Sequence, residues 1–365
     1  MMDDHKDNDE KKDMKMKPYE LCELQIMRAR CLEAKGEPKK AIKFLTKKSI
    51  FCLLIDDVRR NELLARLYMA NNQTTKAVEC LETLLKLNSN NRNYYLDILK
   101  ANGLDLSGGD DDKVIEALEK YEEVLPKSNE HVRLQLDLVK GSHPAFRKKA
   151  IAYMKPQVIK GVPSLINDMS DLLVDAEKAK VIGEILTEMN TEMEANMRLA
   201  PGDDEEEQDP TVQLWLHYYR CQHQLKLGNV GAAYELVQKG IAHTPTVIDL
   251  YTLKAKVLQL AGNRRQASVL AEEARKLDLA DRHLNAHSSK YLLKVDEVEQ
   301  AHTTMGMFSR ETDNGKINVH EMQTMWFEHQ CGLAYFRRGE LREALKQFHF
   351  IELHLTAMSD DCDEF

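Results

Sequence analysis

The sequence predicts an all-α solenoid of helix–turn–helix pairs, and three observations predict it. Gly228-Asn229 aligns with Gly262-Asn263 at an offset of 34 residues, and Ala233, Ala267 and Ala301 repeat that offset twice. The composition is 30% charged and 6% aromatic, with 9 prolines and 16 glycines in 365 residues, which leaves room for long helices and little for a sandwich or barrel. The punctuation agrees: Gly228 and Gly262 supply residues that tolerate the left-handed region at a tight turn. Five positions after each glycine comes the alanine, where a second helix crosses the first. Thr244-Pro245 then closes the unit, because proline ends one helix and opens the next.

A 34-residue period is that of the tetratricopeptide repeat, whose pairs stack into a right-handed superhelix. In chain order, residues 1–17 are almost wholly charged and read as a disordered tail. Residues 18–200 read as degenerate helical repeats. Pro18 opens a helical pattern that Gly36 breaks; Pro38 starts the next helix and Ala41 takes the small-residue slot. In the following unit Asn72 stands for the turn glycine and Ala77 fills the slot. Leu104 to Lys113, with Gly108-Gly109, reads as an inserted loop; Ala117 takes the slot, and Leu125-Pro126 ends that helix. From His131 to Asn190 the period blurs, with breaks expected at Gly141 to Pro144, at Pro156 and at Gly161 to Pro163, and helical spacing resuming from Leu165 to Met189. Residues 201–210 (PGDDEEEQDP) read as a solvated acidic loop. Residues 211–355 read as well-formed repeats, with a polar loop over Glu311 to Asn318. A last pair turns at Gly339 and carries Ala344 in the small slot, and residues 356–365 read as an acidic tail.

Composition also bounds function. A net charge of −9 weighs against nucleic acid as the main partner. Seven scattered cysteines, odd in number and never in a C-x-x-C pair, read as free thiols in a reducing compartment. No apolar run is long enough for a transmembrane span and no signal peptide is legible, so the expectation is a soluble, intracellular chain with no membrane partner.

Catalytic chemistry finds no support. Neither G-x-x-x-x-G-K-[ST] nor G-x-G-x-x-G occurs, and the string Gln259-Leu260-Ala261-Gly262-Asn263-Arg264 fails as an acetyl-CoA loop because it lacks the last small residue and lies on a repeat turn. His283 and His287 are four apart, as are His217 and Cys221, but no H-E-x-x-H order and no third ligand accompany them, so no metal ligands are assigned. Cys221 and Cys331 read as core residues. Trp215, Tyr218 and Tyr219 read as packing between repeats, with a surface anchor for a partner helix as the other reading. One basic cluster stands out in an acidic chain: Lys254, Lys256, Arg264, Arg265, Arg275, Lys276, Arg282, Lys290 and Lys294. Lys256, Lys290 and Lys294 fall on first helices of adjacent repeats, which line the concave side of such an array and there suit a polyanion or an acidic partner surface.

The strings VQLWLHYYRCQHQLKLG, TPTVIDLYTLKAKVLQLAGN, LDLADRHLNAHSSKYLLK and NVHEMQTMWFEHQCGLAYFRRGELREALKQFHFIELH resemble the auxiliary, ribosome-anchoring subunits of the NatA N-terminal acetyltransferase complex. Asp281-Arg282-His283-Leu284-Asn285 with Lys290-Tyr291, and Glu321-Met322-Gln323 with Met325-Trp326-Phe327, carry the resemblance most specifically. It covers about Tyr19 to Phe365 and is strongest after Thr211. It implies a non-catalytic scaffold whose horseshoe wraps a catalytic N-acetyltransferase subunit. That subunit holds acetyl-CoA and modifies small N-terminal residues exposed after removal of the initiator methionine. It further implies docking of a second acetyltransferase, of a small regulatory protein and of the ribosome, and hence a cytoplasmic, ribosome-associated location. Inositol hexakisphosphate is expected at the subunit interface, near Lys256, Arg282, Lys290 and Lys294, and no cofactor is expected within this chain itself. Members of that family are much longer, so a partial or short form is implied. The alternative reading is a stand-alone peptide-binding adaptor of the co-chaperone kind, which the basic cluster fits only in part.

Overall fold

The computed structural model describes residues 17–51, 53–104, 106, 109–200, 206–309, 319–320 and 322–363. The charged segment 1–16, residues 201–205 of the acidic loop and the polar loop 311–318 therefore lie outside the described residues. Among those described there are helices and no strands, and the chain divides into two compact units, Met1–Tyr153 and Met154–Phe365.

In the first unit, α1 (Pro18–Ala34) and α2 (Pro38–Leu45) pair across Gly36, whose φ is +73°. A short turn of helix, α3 (Lys48–Phe51), leads to α4 (Asp57–Ala70) and α5 (Thr74–Leu87), which pair across Asn72 at φ +56°. Asp56 caps α4 by accepting the Arg59 N–H at 3.0 Å. One core gathers Ile26, Ala29, Ala41, Leu45, Leu67 and Ala77. A second joins Leu84, Tyr95, Ile98, Leu118 and Leu134 from α5, α6 (Arg92–Ala101), α7 (Asp111–Val124) and α8 (Glu130–Leu138). Ala117 is only half-buried; Leu118 beside it is fully enclosed. The insertion before α7 is shorter than expected, because Asp111 to Lys113 already belong to the helix.

Pro156 does not break the chain. It lies inside α9 (Pro144–Lys160). Phe146, Ala150, Met154 and Val158 recur every four residues and are all buried, so the helix is held on its apolar stripe. Pro156 and Ala152 are exposed, so the carbonyl that loses its proline partner faces solvent, where water satisfies it.

The second unit begins irregularly, with α10 (Leu165–Asp168), a 3₁₀ turn at Leu172–Val174 and the long α11 (Ala176–Asn196), where an uninterrupted helical spacing was expected. Asp175 starts α11 by accepting from Glu177 and Lys178, and Met197 ends it at φ +56°. Gln208 then donates its N–H to the Met197 carbonyl at 2.7 Å, which ties the end of the acidic loop back to α11. The regular part follows as α12 (Thr211–Lys226), α13 (Val230–His243), α14 (Ile248–Leu260), α15 (Arg264–Leu277), α16 (Arg282–Lys294), α17 (Val298–Gly306), α18 (Met325–Arg338) and α19 (Leu341–Asp363). The turn glycines 228, 262 and 339 stand at φ +80°, +88° and +79°. The next turn in register is made by Asp296 at φ +66°, a residue type that tolerates the left-handed region. Ala233, Ala267, Ala301 and Ala344 are at most 2% exposed. The final helix runs on to Asp363, through residues read as a tail, because nothing after Leu355 is glycine or proline.

Candidate partner and anion surface

The candidate surface is built on α14, α15 and α16. Asp281 caps α16 by accepting from His283 N–H at 2.6 Å and Leu284 N–H at 3.3 Å. The inner face of α16 is Leu284, Asn285, Ser288, Ser289, Leu292 and Leu293. Its buried polar groups fix its rotation: Asn285 donates to the Thr304 carbonyl at 2.8 Å and Ser288 to the Glu272 carboxylate at 2.8 Å. That leaves Arg282, Ala286, Lys290 and Lys294, spaced by four, on one outward stripe. Lys256 occupies the same repeat position on α14 as Lys290 does on α16, 34 residues on.

Among the described residues none of Lys256, Arg264, Arg282, Lys290 and Lys294 has an ion-pair partner. Lys256, Arg264, Arg282 and Lys290 are exposed and Lys294 is half-buried. Burial lowers the Lys294 pKa, and the positive charges of Lys290 and Arg264 lower it further. The fold thus brings Lys290 and Arg264 close enough to Lys294 to repel its charge. Arg282 stacks over Phe308 at 5.7 Å, and Lys256 is felt at Cys221 on α12. Arg275 leaves the cluster expected from sequence: it is buried and clamps Glu272 through two contacts of 2.6 and 2.8 Å. Lys276 also leans on Glu272, at 4.0 Å.

Beside this patch a cleft of about 310 Å³ opens between α16 and α18, lined by His283, His287, Lys290, Trp326, His329 and Gln330. Trp326 is 39% exposed. The imidazole of His287 is pushed down to about 4, first by burial and then by His283, Lys290 and Lys294, so it stays neutral at physiological pH. Its ring stacks on His283 at 6.1 Å and packs on Tyr291 at 4.7 Å, and among the described residues no third ligand joins the pair.

Other sequence candidates are interior residues. Burial pushes the Cys221 thiol up to about 12, which removes it as a nucleophile. Cys331 is buried 3.7 Å from His302 Nε2. Tyr219 is fully buried, and Trp215 packs so closely under Gly161 that a Cβ there would lie 2.2 Å from Nε1. The aromatic group is therefore repeat packing. What sequence spacing did not signal is a His320–Glu328–His354 cluster, whose members are separated by 8 and 26 residues. No described helix is long and apolar enough to cross a membrane.

The family model for the N-terminal acetyltransferase A auxiliary subunit matches residues 19–365. The NatA auxiliary subunit N-alpha-acetyltransferase 16 of Mus musculus is 32% identical over 353 residues, covering 95% of this chain and 39% of its own length. The NatA complex auxiliary subunit NAA15 of Arabidopsis thaliana is 32% identical over 351 residues, with 95% and 38% covered. The chain thus spans about two-fifths of these relatives. A solved structure described as Naa15/Naa10 bound to HypK-THB superposes with a TM-score of 0.83 at 24% identity, over 95% of this chain and 51% of that one, and so shares the fold. The 34-residue period, the helix pairs and the match over 19–365 agree: the chain belongs to the NatA auxiliary-subunit family.

Proposed function

We propose that this chain is a non-catalytic scaffold of an N-terminal protein acetyltransferase, holding a catalytic subunit that carries acetyl-CoA and the substrate pocket. The observation that carries the reading is the set of cations on the first helices of the most regular repeats that have no ion-pair partner among the described residues, next to a cleft lined by a half-exposed tryptophan. Unpaired cations beside an aromatic anchor are what an acidic partner surface needs. The Naa15 structure of the same fold is described as a complex with Naa10 and HypK-THB, which supports a catalytic partner and a small regulatory one here. A second acetyltransferase and the ribosome are further partners in this reading, and the cytoplasm is the compartment. Lys256, Arg282, Lys290 and Lys294 take inositol hexakisphosphate or an acidic partner surface at the interface. The donors fit a polyanion, since among the described residues Lys290 and Lys294 lack an ion-pair partner.

The experiment is co-expression with the catalytic subunit from the same source, size exclusion, and acetylation of a Ser-initiated peptide against a Met-Asp one. Co-elution with raised activity on the Ser peptide is expected. Separate elution would overturn the scaffold reading and favour the peptide-binding adaptor.

A further inference from the structure

We propose that His320, Glu328 and His354 form a zinc site that pins the segment ahead of α18 to the last helix pair. His320 Nδ1 lies 2.8 Å and His354 Nε2 3.1 Å from Glu328 Oε1, and the three ligand atoms fall within 4.8 Å of one another. Glu328 is 2% exposed and His354 7%. The second carboxylate oxygen, Glu328 Oε2, is buried and has no hydrogen-bond partner among the described residues. A buried carboxylate that directs both imidazoles at one oxygen and leaves the other empty is incompletely satisfied by protein alone. A cation between the three groups satisfies it. Ligands at zinc bond lengths stand about 3.3–3.4 Å apart, so the two contacts to Glu328 open by a few tenths of an ångström while the imidazole nitrogens, within 4.8 Å of each other, draw together by up to about 1.4 Å.

The donor set suits the ion. Two imidazole nitrogens and one carboxylate oxygen with an open fourth position are a zinc set, and the absence of thiolate gives soft ions no advantage. Phe350 backs the His320 ring at 3.8 Å and His354 lies 4.8 Å from it, so the rings are held against a shared wall. Glu328 comes from α18 and His354 from α19, while His320 precedes both. Zinc there ties His320 to the helix pair, with the fourth position left to water.

The test uses the full chain without a histidine tag, stripped with chelator, with zinc alone as the probe. Zinc content by mass spectrometry and competition with a chromophoric chelator are measured for the native chain, Glu328→Gln, His354→Gln and a control, His349→Ala. His349 is on the same helix with its side chain 58% exposed. The native chain and the control are expected to keep about one zinc each, and the two ligand variants to bind at least about tenfold more weakly. Cobalt substitution should give visible d–d absorption in the native chain that is lost in Glu328→Gln. Far-UV circular dichroism checks folding, and His320→Gln, at a half-buried ligand, replaces any variant that fails it. Equal zinc binding by native chain and ligand variants, or none by either, would overturn the proposal.

Discussion

Acidification should destabilise the second unit well before its carboxylates titrate, and two buried histidines, His217 and His287, carry a calculable share of the effect. His217 and His287 have pKa values of about 4 in the fold against 6.5 when free, both chiefly because burial disfavours the charged ring. His217 Nε2 already receives the Gln213 amide at 3.3 Å, and the same amide is engaged with Asn190 at 2.8 Å. The folded pKa is depressed, so above 6.5 both states are neutral and the full stability is present. Below 6.5 only the unfolded chain takes the proton, and stability is lost progressively until the folded pKa near 4. At pH 5 each histidine then costs about 2 kcal/mol, and the two together about 4 kcal/mol relative to pH 7.5. Both tryptophans, Trp215 and Trp326, belong to this unit, so urea unfolding followed by tryptophan fluorescence at pH 7.5 and pH 5 reads it directly. The variant His217→Gln with His287→Gln should shrink the pH-dependent drop by about 4 kcal/mol, with the contribution of His223, also depressed by burial, remaining. If that variant shows the same drop in midpoint as the native chain, the neutral histidines are not the cause and the reasoning fails.

Gly332→Ala should destabilise by about 1–3 kcal/mol, because the added Cβ meets the Phe348 ring at 2.5 Å where α18 and α19 cross, and thermal unfolding reads it. Gly228→Ala has open space around its Cβ but stands at φ +80°, so it should cost only about 1–2 kcal/mol by the same measurement. Lys290→Glu with Lys294→Glu should weaken inositol hexakisphosphate binding in calorimetry by more than about tenfold and flatten its salt dependence, with unfolding unchanged; equal affinity would remove the patch from the interface. Trp326→Ala should weaken co-elution with a catalytic subunit by more than about tenfold while the melting curve stays in place, since the ring is 39% exposed.

The repeat was legible because it is local. A glycine at φ above +70° and a small residue five positions later impose themselves on any sequence that makes this turn, so Gly228 with Ala233 and Gly262 with Ala267 could be read without a structure. Asp296 escaped notice at the next turn because aspartate, though it tolerates the left-handed region, is far commoner at helix caps and on solvated faces, so the residue alone does not mark a turn. Pro156 misled for a related reason: proline is read as a break, yet whether it breaks depends on which face it occupies, and only the buried four-residue stripe around it decides that. The basic cluster was legible as composition, whereas the removal of Arg275 by Glu272 required knowing that the two share a buried face. The His320–Glu328–His354 set was not legible at all, since separations of 8 and 26 residues form no helical or loop motif.

The division of labour within α16 bears on what such a chain is for. Its inner residues obey packing: Asn285 and Ser288 spend their hydrogen bonds on the Thr304 carbonyl and Glu272, which locks the helix against α15 and α17. Its outer cations are not neutralised by the fold: among the described residues Lys290 and Lys294 have no ion-pair partner, and Lys290 and Arg264 repel the charge of Lys294. A protein selected for stability alone would relieve that repulsion with a carboxylate four residues away, as Lys180 does with Glu184 on α11 at 3.9 Å. Leaving the charges unpaired lowers stability slightly and gains only if something negative arrives from outside. The locked inner face matters equally, because a helix free to rotate would not hold the cation stripe in one orientation towards a partner. Rigid packing beneath and unmet charge above are the physical requirements of a scaffold, and they coincide on the repeats whose period is best kept.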